Sequence, residues 1–223
     1  MRSIKQQSGF TIIELLIATT VFSIVLVVIV ASFLQVGRMF YKGVSVNNTN
    51  EAARNLVDEI SNDARLTPTP SEVKSDSTDT AKRFFCVGPH RYTFKLNTQV
   101  KAGDINSNAR NMTAGIVQDT TSGNCQDPTA LLGSSPRQIL GPDMRLNAMN
   151  VSQNASGSGM LIHVHVIFYG ADDRVFSSTA HPNDTAADHA AAINDADAYC
   201  SGNILSTQFC AMADIRTNVT LKY

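Results

Sequence analysis

Between Leu15 and Leu34 the chain carries no charged residue and no proline, and Val, Ile, Leu, Ala and Phe fill almost every position. About 20 such residues let a helix cross the roughly 30 Å hydrocarbon core of a bilayer. A buried core helix would show a polar face, whereas this run offers only Thr19, Thr20, Ser23 and Ser32. Those hydroxyls can bond back to helix carbonyls or face a neighbouring helix. The run predicts a membrane-inserted helix, and every other part of the fold must be compatible with it. One residue breaks the pattern. Glu14 stands at the head of the run, shortly after Phe10, and a carboxylate near the bilayer centre costs about 2.5–3.5 kcal/mol on insertion scales. It needs a partner.

A cleaved secretory signal is the competing reading of the same stretch. Its apolar core would be too long, and VASFLQVGRMF offers a poor small-x-small cleavage site behind it. The abrupt change of character lies on the other side, at Gly9-Phe10, after a short polar leader containing Arg2 and Lys5. Arg38 and Lys42 beyond the run match those two cations, so charge counting leaves the orientation open.

The stretch SGFTIIELL resembles the class III leader of type IV prepilins and pseudopilins. The resemblance implies that a membrane peptidase cuts after Gly9 and N-methylates Phe10, which makes Glu14 the fifth mature residue. It also implies that Glu14 meets the methylated, cationic amine of Phe10, on a neighbouring subunit or on its own chain, as helices join a filament. Opposite charges in a low-dielectric setting attract strongly, and each relieves the other's desolvation. An unpaired Glu14 could instead sit protonated in the membrane or snorkel to water. The likeness is specific over residues 1–35 and is one of general architecture beyond them. The first helix and its continuation look like the larger minor subunits of the J or W type. Glu14 argues against the K-type tip pseudopilin, which lacks it. The membrane run has no proline, unlike many major pilins, so their mid-helix kink is not expected here.

Beyond the run, 223 residues leave room for one compact domain outside the bilayer. The net charge is −1 and no strongly basic block appears, so sequence-independent nucleic-acid binding is not indicated. The four cysteines, Cys86, Cys125, Cys200 and Cys210, all follow the membrane run, and none forms a CxxC pair. An exported domain would oxidise them. Four thiols allow three pairings that spacing alone cannot separate; we favour Cys200–Cys210, closing a short loop before the last strand, with Cys86–Cys125.

In NNTNEAARNLVDEISNDARLTPTP the residues Ala53, Leu56, Val57, Ile60 and Ala64 recur at helical spacing. Asn50 is a candidate cap with Glu51 in its first turn, and Pro68 and Pro70 are stop signals. One long helix, loosened near Gly37 or Gly43, would present this stripe to the domain; a separate second helix is the alternative. Alternation then takes over. Tyr92, Phe94 and Leu96 share a face; so do Met144, Leu146 and Ala148; so do Met160, Ile162, Val164, Val166 and Phe168; and so do Ile215, Thr217, Val219 and Leu221. These read as four strands with one buried face, the middle two joined through SQNASGSG as an antiparallel hairpin. The helical stripe is the available cover for a one-faced sheet. Two long insertions, 98–142 and 177–209, read as loops with a short helix in AADHAAAINDADAY.

Other chemistry finds little support. His163 and His165 lie two apart, but no third metal ligand is identifiable, and an exposed polar face accounts for them better. Asp184, Asp188, Asp195 and Asp197 are oxygen ligands of the type calcium takes, without EF-hand spacing. Cys86 and His90 suggest a nucleophile and base without a third group. No nucleophile elbow, phosphate loop or H-E-x-x-H is present. Asn150 and Asn218 open N-x-S/T triplets that say little without knowledge of the host.

The expectation is therefore an α+β, pilin-like chain with a long N-terminal helix packed on an antiparallel sheet of about four strands. Residues 1–9 form a leader, 10–35 the transmembrane and filament-core helix, 36–67 its amphipathic continuation and 68–223 an extracytoplasmic sheet domain. It is not an enzyme and has no resident cofactor or metal. It reads as a minor type IV pilin serving adhesion, motility or DNA uptake; alternatives are a secretion or competence pseudopilin, or a tethered binding domain that never assembles. Its expected partners are other pilin subunits, prepilin peptidase, the inner-membrane assembly platform and lipid. Its expected location is the cytoplasmic membrane before assembly and the cell surface afterwards.

Overall fold

The computed structural model describes residues 10–65, 71–77, 79–106, 111–120, 125–128, 136–153, 159–169, 175–182, 185–201 and 209–220. The leader through Gly9, Pro68, Pro70, Asp184, Leu221 and most of SQNASGSG lie outside them. The chain divides into two compact units, one ending at Tyr41 and the other beginning at Lys42.

Helix α1 (Ile12–Arg65) contributes to both units. In the first, its side chains are exposed all round; the stretch is long and apolar enough to cross a membrane, and none of it is buried in the protein. The four hydroxyls in it are satisfied internally: Thr19 donates to the Leu16 carbonyl at 3.0 Å, Thr20 to Ile17 at 2.8 Å, Ser23 to Thr19 at 2.8 Å and Ser32 to Val28 at 2.8 Å. Such back-bonding removes the cost of a bare hydroxyl in hydrocarbon. Gly37 and Gly43 remain helical. Asn50 does not cap a new helix, because the turn before it is already formed; its amide donates to the Val46 carbonyl at 2.9 Å.

In the second unit Ala53, Leu56, Val57, Ile60 and Ala64 are all buried, so the 3.6-residue stripe is the face that builds the core. Strands β1 (Lys74–Ser75), β2 (Lys82–Val87), β3 (His90–Lys95), β4 (Gly115–Thr120) and β5 (Arg137–Gln138) form an antiparallel sheet in that order. At the β2–β3 turn Gly88 has φ 61°, the left-handed step a two-residue hairpin needs, and Pro89 fixes the next φ. Strands β6 (Met144–Gln153), β7 (Gly159–Tyr169) and β10 (Cys210–Thr220) form a second sheet in the order β10-β7-β6, also antiparallel. A small ribbon pairs β8 (Phe176–Ser177) with β9 (Tyr199–Cys200), and helix α2 (Ala186–Ala192) lies between them in sequence.

The α+β plan of a long N-terminal helix and antiparallel sheets matches pilin-like architecture. The number of strands and their faces differ from expectation. The four strands read from alternation are β3, β6, β7 and β10, but they fall in two sheets. β2 shows no alternation because Phe84, Phe85, Cys86 and Val87 are buried on both faces. β4, GIVQDT, was masked by its Gly, Asp and Thr.

Neither sheet has a single buried face. On the outer face of the first, Phe84, Cys86, Arg91, Thr93, Val117 and Asp119 are buried. There the Arg91 Nε donates to Asp119 at 2.9 Å, Nη2 donates to the second oxygen of the same carboxylate, and Nη1 donates to the Gln126 carbonyl at 3.0 Å. The Cys86–Cys125 disulfide clamps the covering segment beside this pair. On the outer face of the second sheet, Ile167 and Cys210 join Val175, Phe176, Ala192, Ile193 and Ala198 in a separate core, and Cys200 is bonded to Cys210 beside it.

Candidate functional site

The chemistry implied by the sequence sits at the start of α1. Phe10 is 81 % exposed. Thr11 is the cap residue, and T-I-I-E forms a reciprocal capping box. The Glu14 backbone N–H donates to Thr11 Oγ1 at 3.3 Å, while Glu14 Oε2 accepts from the Thr11 backbone N–H at 3.1 Å and from its hydroxyl at 3.0 Å. The carboxylate thus satisfies a backbone donor that the first helical turn leaves over, and it lies where the helix dipole favours negative charge. Its partner Thr11 directly follows Phe10 in the chain. Its other oxygen, Oε1, has no bonding partner among the described residues. Thr11 was missed in reading the sequence, although a T-x-x-E box directly before an apolar run is a legible signal.

The remaining candidates separate. Cys86 is in its disulfide, and His90 Nδ1 lies 2.8 Å from Asp63 of α1, not beside a thiol. Asp63 also accepts from the Tyr92 hydroxyl at 2.5 Å. Burial first, and then this carboxylate, hold the Tyr92 phenol protonated well above its usual range. The trio ties the helix to β3. His163 lies 2.7 Å from Asp214 on the open part of β7. His165 corrects the expectation of an exposed face: it is only 5 % exposed, because the second core's covering segment closes over that part of β7. Burial pushes its pKa below the ordinary value.

The acidic residues of the last insertion hold that insertion together. Thr185 Oγ1 caps α2 by accepting from the Asp188 backbone N–H at 3.1 Å and donates to the Asp188 carboxylate at 2.8 Å; Asp195 accepts from Ser178 at 2.5 Å; Asp197 accepts from the Thr179 backbone at 3.0 Å. His181 lies between Asp188 and Asp195, at 3.5 and 3.9 Å. The described residues contain no group of three metal-ligating side chains. Two pins had no sequence signal. A bulge in β6 aims Asn147 across the sheet, where its amide donates to Asn97 and to the Ile193 and Asp195 carbonyls at 2.9–3.2 Å. Lys42 donates to the Cys210 carbonyl at 2.8 Å.

Residues 4–30 match the family described as the prokaryotic N-terminal methylation motif. No curated protein and no solved structure matches the chain. Leader motif, unburied apolar helix and α+β domain together make the chain similar to the membrane-anchored type IV pilins and pseudopilins. The motif points to a structural subunit rather than an enzyme.

Proposed function

We propose that the chain is a minor subunit of a type IV pilus. It is cut between Gly9 and Phe10, methylated at Phe10, and joined to other subunits through the apolar half of α1. The observation that carries this reading is Glu14 held at the head of an otherwise unburied apolar helix. Its Oε2 satisfies the chain's own first turn, which leaves Oε1 for the cationic terminus of a neighbouring subunit. Two disulfides suit an exported domain that ends at the cell surface. The leader of residues 1–9 is removed, residues 10–35 form the filament core, 36–67 continue the helix and 68–223 form the sheet domain. Prepilin peptidase and the inner-membrane assembly platform are the other partners. Likeness of the long helix to the J or W type favours a priming position over a major-pilin role.

N-terminal sequencing of the mature protein tests the processing step. Methylated Phe10 is expected; a chain that keeps Met1 is a tethered domain instead. Glu14→Ala leaves the helix insertable while removing the partner of the amine. Cleavage is expected to proceed and incorporation into sheared filaments to fall about tenfold, the equivalent of 1.4 kcal/mol. Undiminished incorporation would remove Glu14 from assembly.

A further inference from the structure

Large apolar side chains are well hidden in the second unit. Among the described residues after Val44, the exposed ones are Leu161 at 46 %, Tyr199 at 42 %, Phe209 at 44 % and Met212 at 42 %. Leu161 stands apart on β7. The other three share one neighbourhood, because Tyr199 and Phe209 each precede a half of the Cys200–Cys210 bond, whose Cα atoms are 5.8 Å apart. Met212 follows on the same face of β10 as Cys210. A soluble surface does not gather its few exposed large apolar residues without a reason.

The position of the group in the chain says what covers it. Lys42, the first residue of this unit, bonds the Cys210 carbonyl at 2.8 Å. It directly follows Met39, Phe40 and Tyr41, which are exposed by 67, 67 and 58 %. Aromatic residues followed by a lysine mark the water-facing border of a membrane segment. Helical rise allows at most about 12 Å of chain between Leu34, after which Gln35 first breaks the apolar run, and Lys42. The headgroup layer adds about 5–8 Å outside the hydrocarbon, so the chain at Lys42 lies within about a side chain's length of it. Tyrosine and phenylalanine beside a lysine are what an interface of apolar chains and anionic headgroups accepts.

We propose that Tyr199, Phe209 and Met212, gathered around the Cys200–Cys210 bond beside Lys42, make a second contact with the bilayer. This rim of the domain sits in the lipid headgroup layer while the chain is anchored and before it enters a filament. The disulfide holds two of the three side chains together, and the Lys42 bond keeps the rim at the membrane end of the second unit's chain. The proposal rests on the membrane-anchored reading of α1.

The chain contains no tryptophan, so a single introduced one reports alone. The full chain, carrying Phe209→Trp, Leu161→Trp or Val27→Trp, is reconstituted at one copy per nanodisc of phosphatidylethanolamine and phosphatidylglycerol. Nitroxide is placed either on the headgroup or on the acyl chain. Quenching by the headgroup label is expected to be at least twofold stronger at position 209 than at 161, with blue-shifted emission at 209. Tyr199→Trp supplies a second reporter with the same expectation should Phe209→Trp fold poorly. Equal headgroup quenching at 209, 199 and 161, with position 27 quenched by the acyl label, overturns the rim contact alone. An unquenched position 27 overturns the anchoring and the contact with it.

Discussion

The second unit holds two apolar cores that differ in how they are made. The larger one lies between the α1 stripe and the inner faces of both sheets, and Leu56, Ile60, Phe85, Tyr92, Phe94, Ile116, Leu146 and Ile162 are all 0–1 % exposed in it. All of them come from the long helix or from strands of the two sheets, and those of α1, β3, β6 and β7 follow the period of their element. The smaller core sets Ile167 and Cys210 of the second sheet against Val175, Phe176, Ala192, Ile193 and Ala198. These come from short pieces with no common period, and polar and covalent ties hold them: the two bonds of Asn147 to the Ile193 and Asp195 carbonyls, Ser178 to Asp195, Ser201 to the Val175 carbonyl at 2.7 Å, and the Cys200–Cys210 bond. Regular elements can bury themselves by area alone. An irregular cover needs pins, because it brings too little apolar surface to offset the entropy of ordering it.

The sharpest way to break the larger side of this comparison is to leave a charge stranded over it. Asp119→Ala removes both acceptors of the Arg91 Nε and Nη2 donors, and Arg91 is 0 % exposed. A loss of about 3–5 kcal/mol is expected in chemical unfolding of the detergent-solubilised chain. The Arg91→Met, Asp119→Leu double variant should recover most of it, since the shape is kept and no charge remains. A single variant as stable as the parent would show that the pair is solvated.

Next in size come matched truncations in the two cores. Leu56→Ala should cost about 2–5 kcal/mol, and Phe176→Ala about 3–5 kcal/mol if its core were equally cooperative. The comparison predicts otherwise. Loss at Leu56 should lower protection from hydrogen exchange across both sheets, whereas loss at Phe176 should open residues 175–201 and leave β2–β4 protected. Uniform loss of protection from both variants would make the two cores one cooperative unit.

The same contrast explains what could be read in advance. The stripe from Ala53 to Ala64, the alternating strands and the leader motif are periodic or contiguous, and each is a local property of the chain. The second faces of both sheets were hidden because their covers are irregular. Arg91 and His165 alternate with apolar neighbours, as exposed residues do, and only Asp119, Gln126 and the Ala196 region reveal them as buried. Asn147 became a pin through a bulge, which shifts one side chain out of the strand's period. At the site, Glu14 is legible by its oddity and Thr11 by the T-x-x-E spacing, which the bond between them bears out.

The smallest expected effect separates the cores by pH. His165 lies under the cover of the smaller core, and burial lowers its pKa from the ordinary 6.5; the nearby His163 acts in the same direction. The Asp214 carboxylate and a backbone bond at Ala196 oppose the shift without cancelling it. The fold therefore favours neutral imidazole. Stability from this site is fully present above about pH 6.5 and is lost as the pH falls toward the depressed folded value, with a slope of at most about 1.4 kcal/mol per pH unit for one proton. His181 faces Asp188 and Asp195 in the same cover, at 3.5 and 3.9 Å. Hydrogen exchange of residues 175–201, corrected for intrinsic rates, should accelerate between pH 6.5 and 5 while β3 is unchanged. His165→Gln should flatten that dependence. If the variant keeps the same pH profile as the parent, the sensor lies elsewhere in the cover and the smaller core is not held by a neutral histidine.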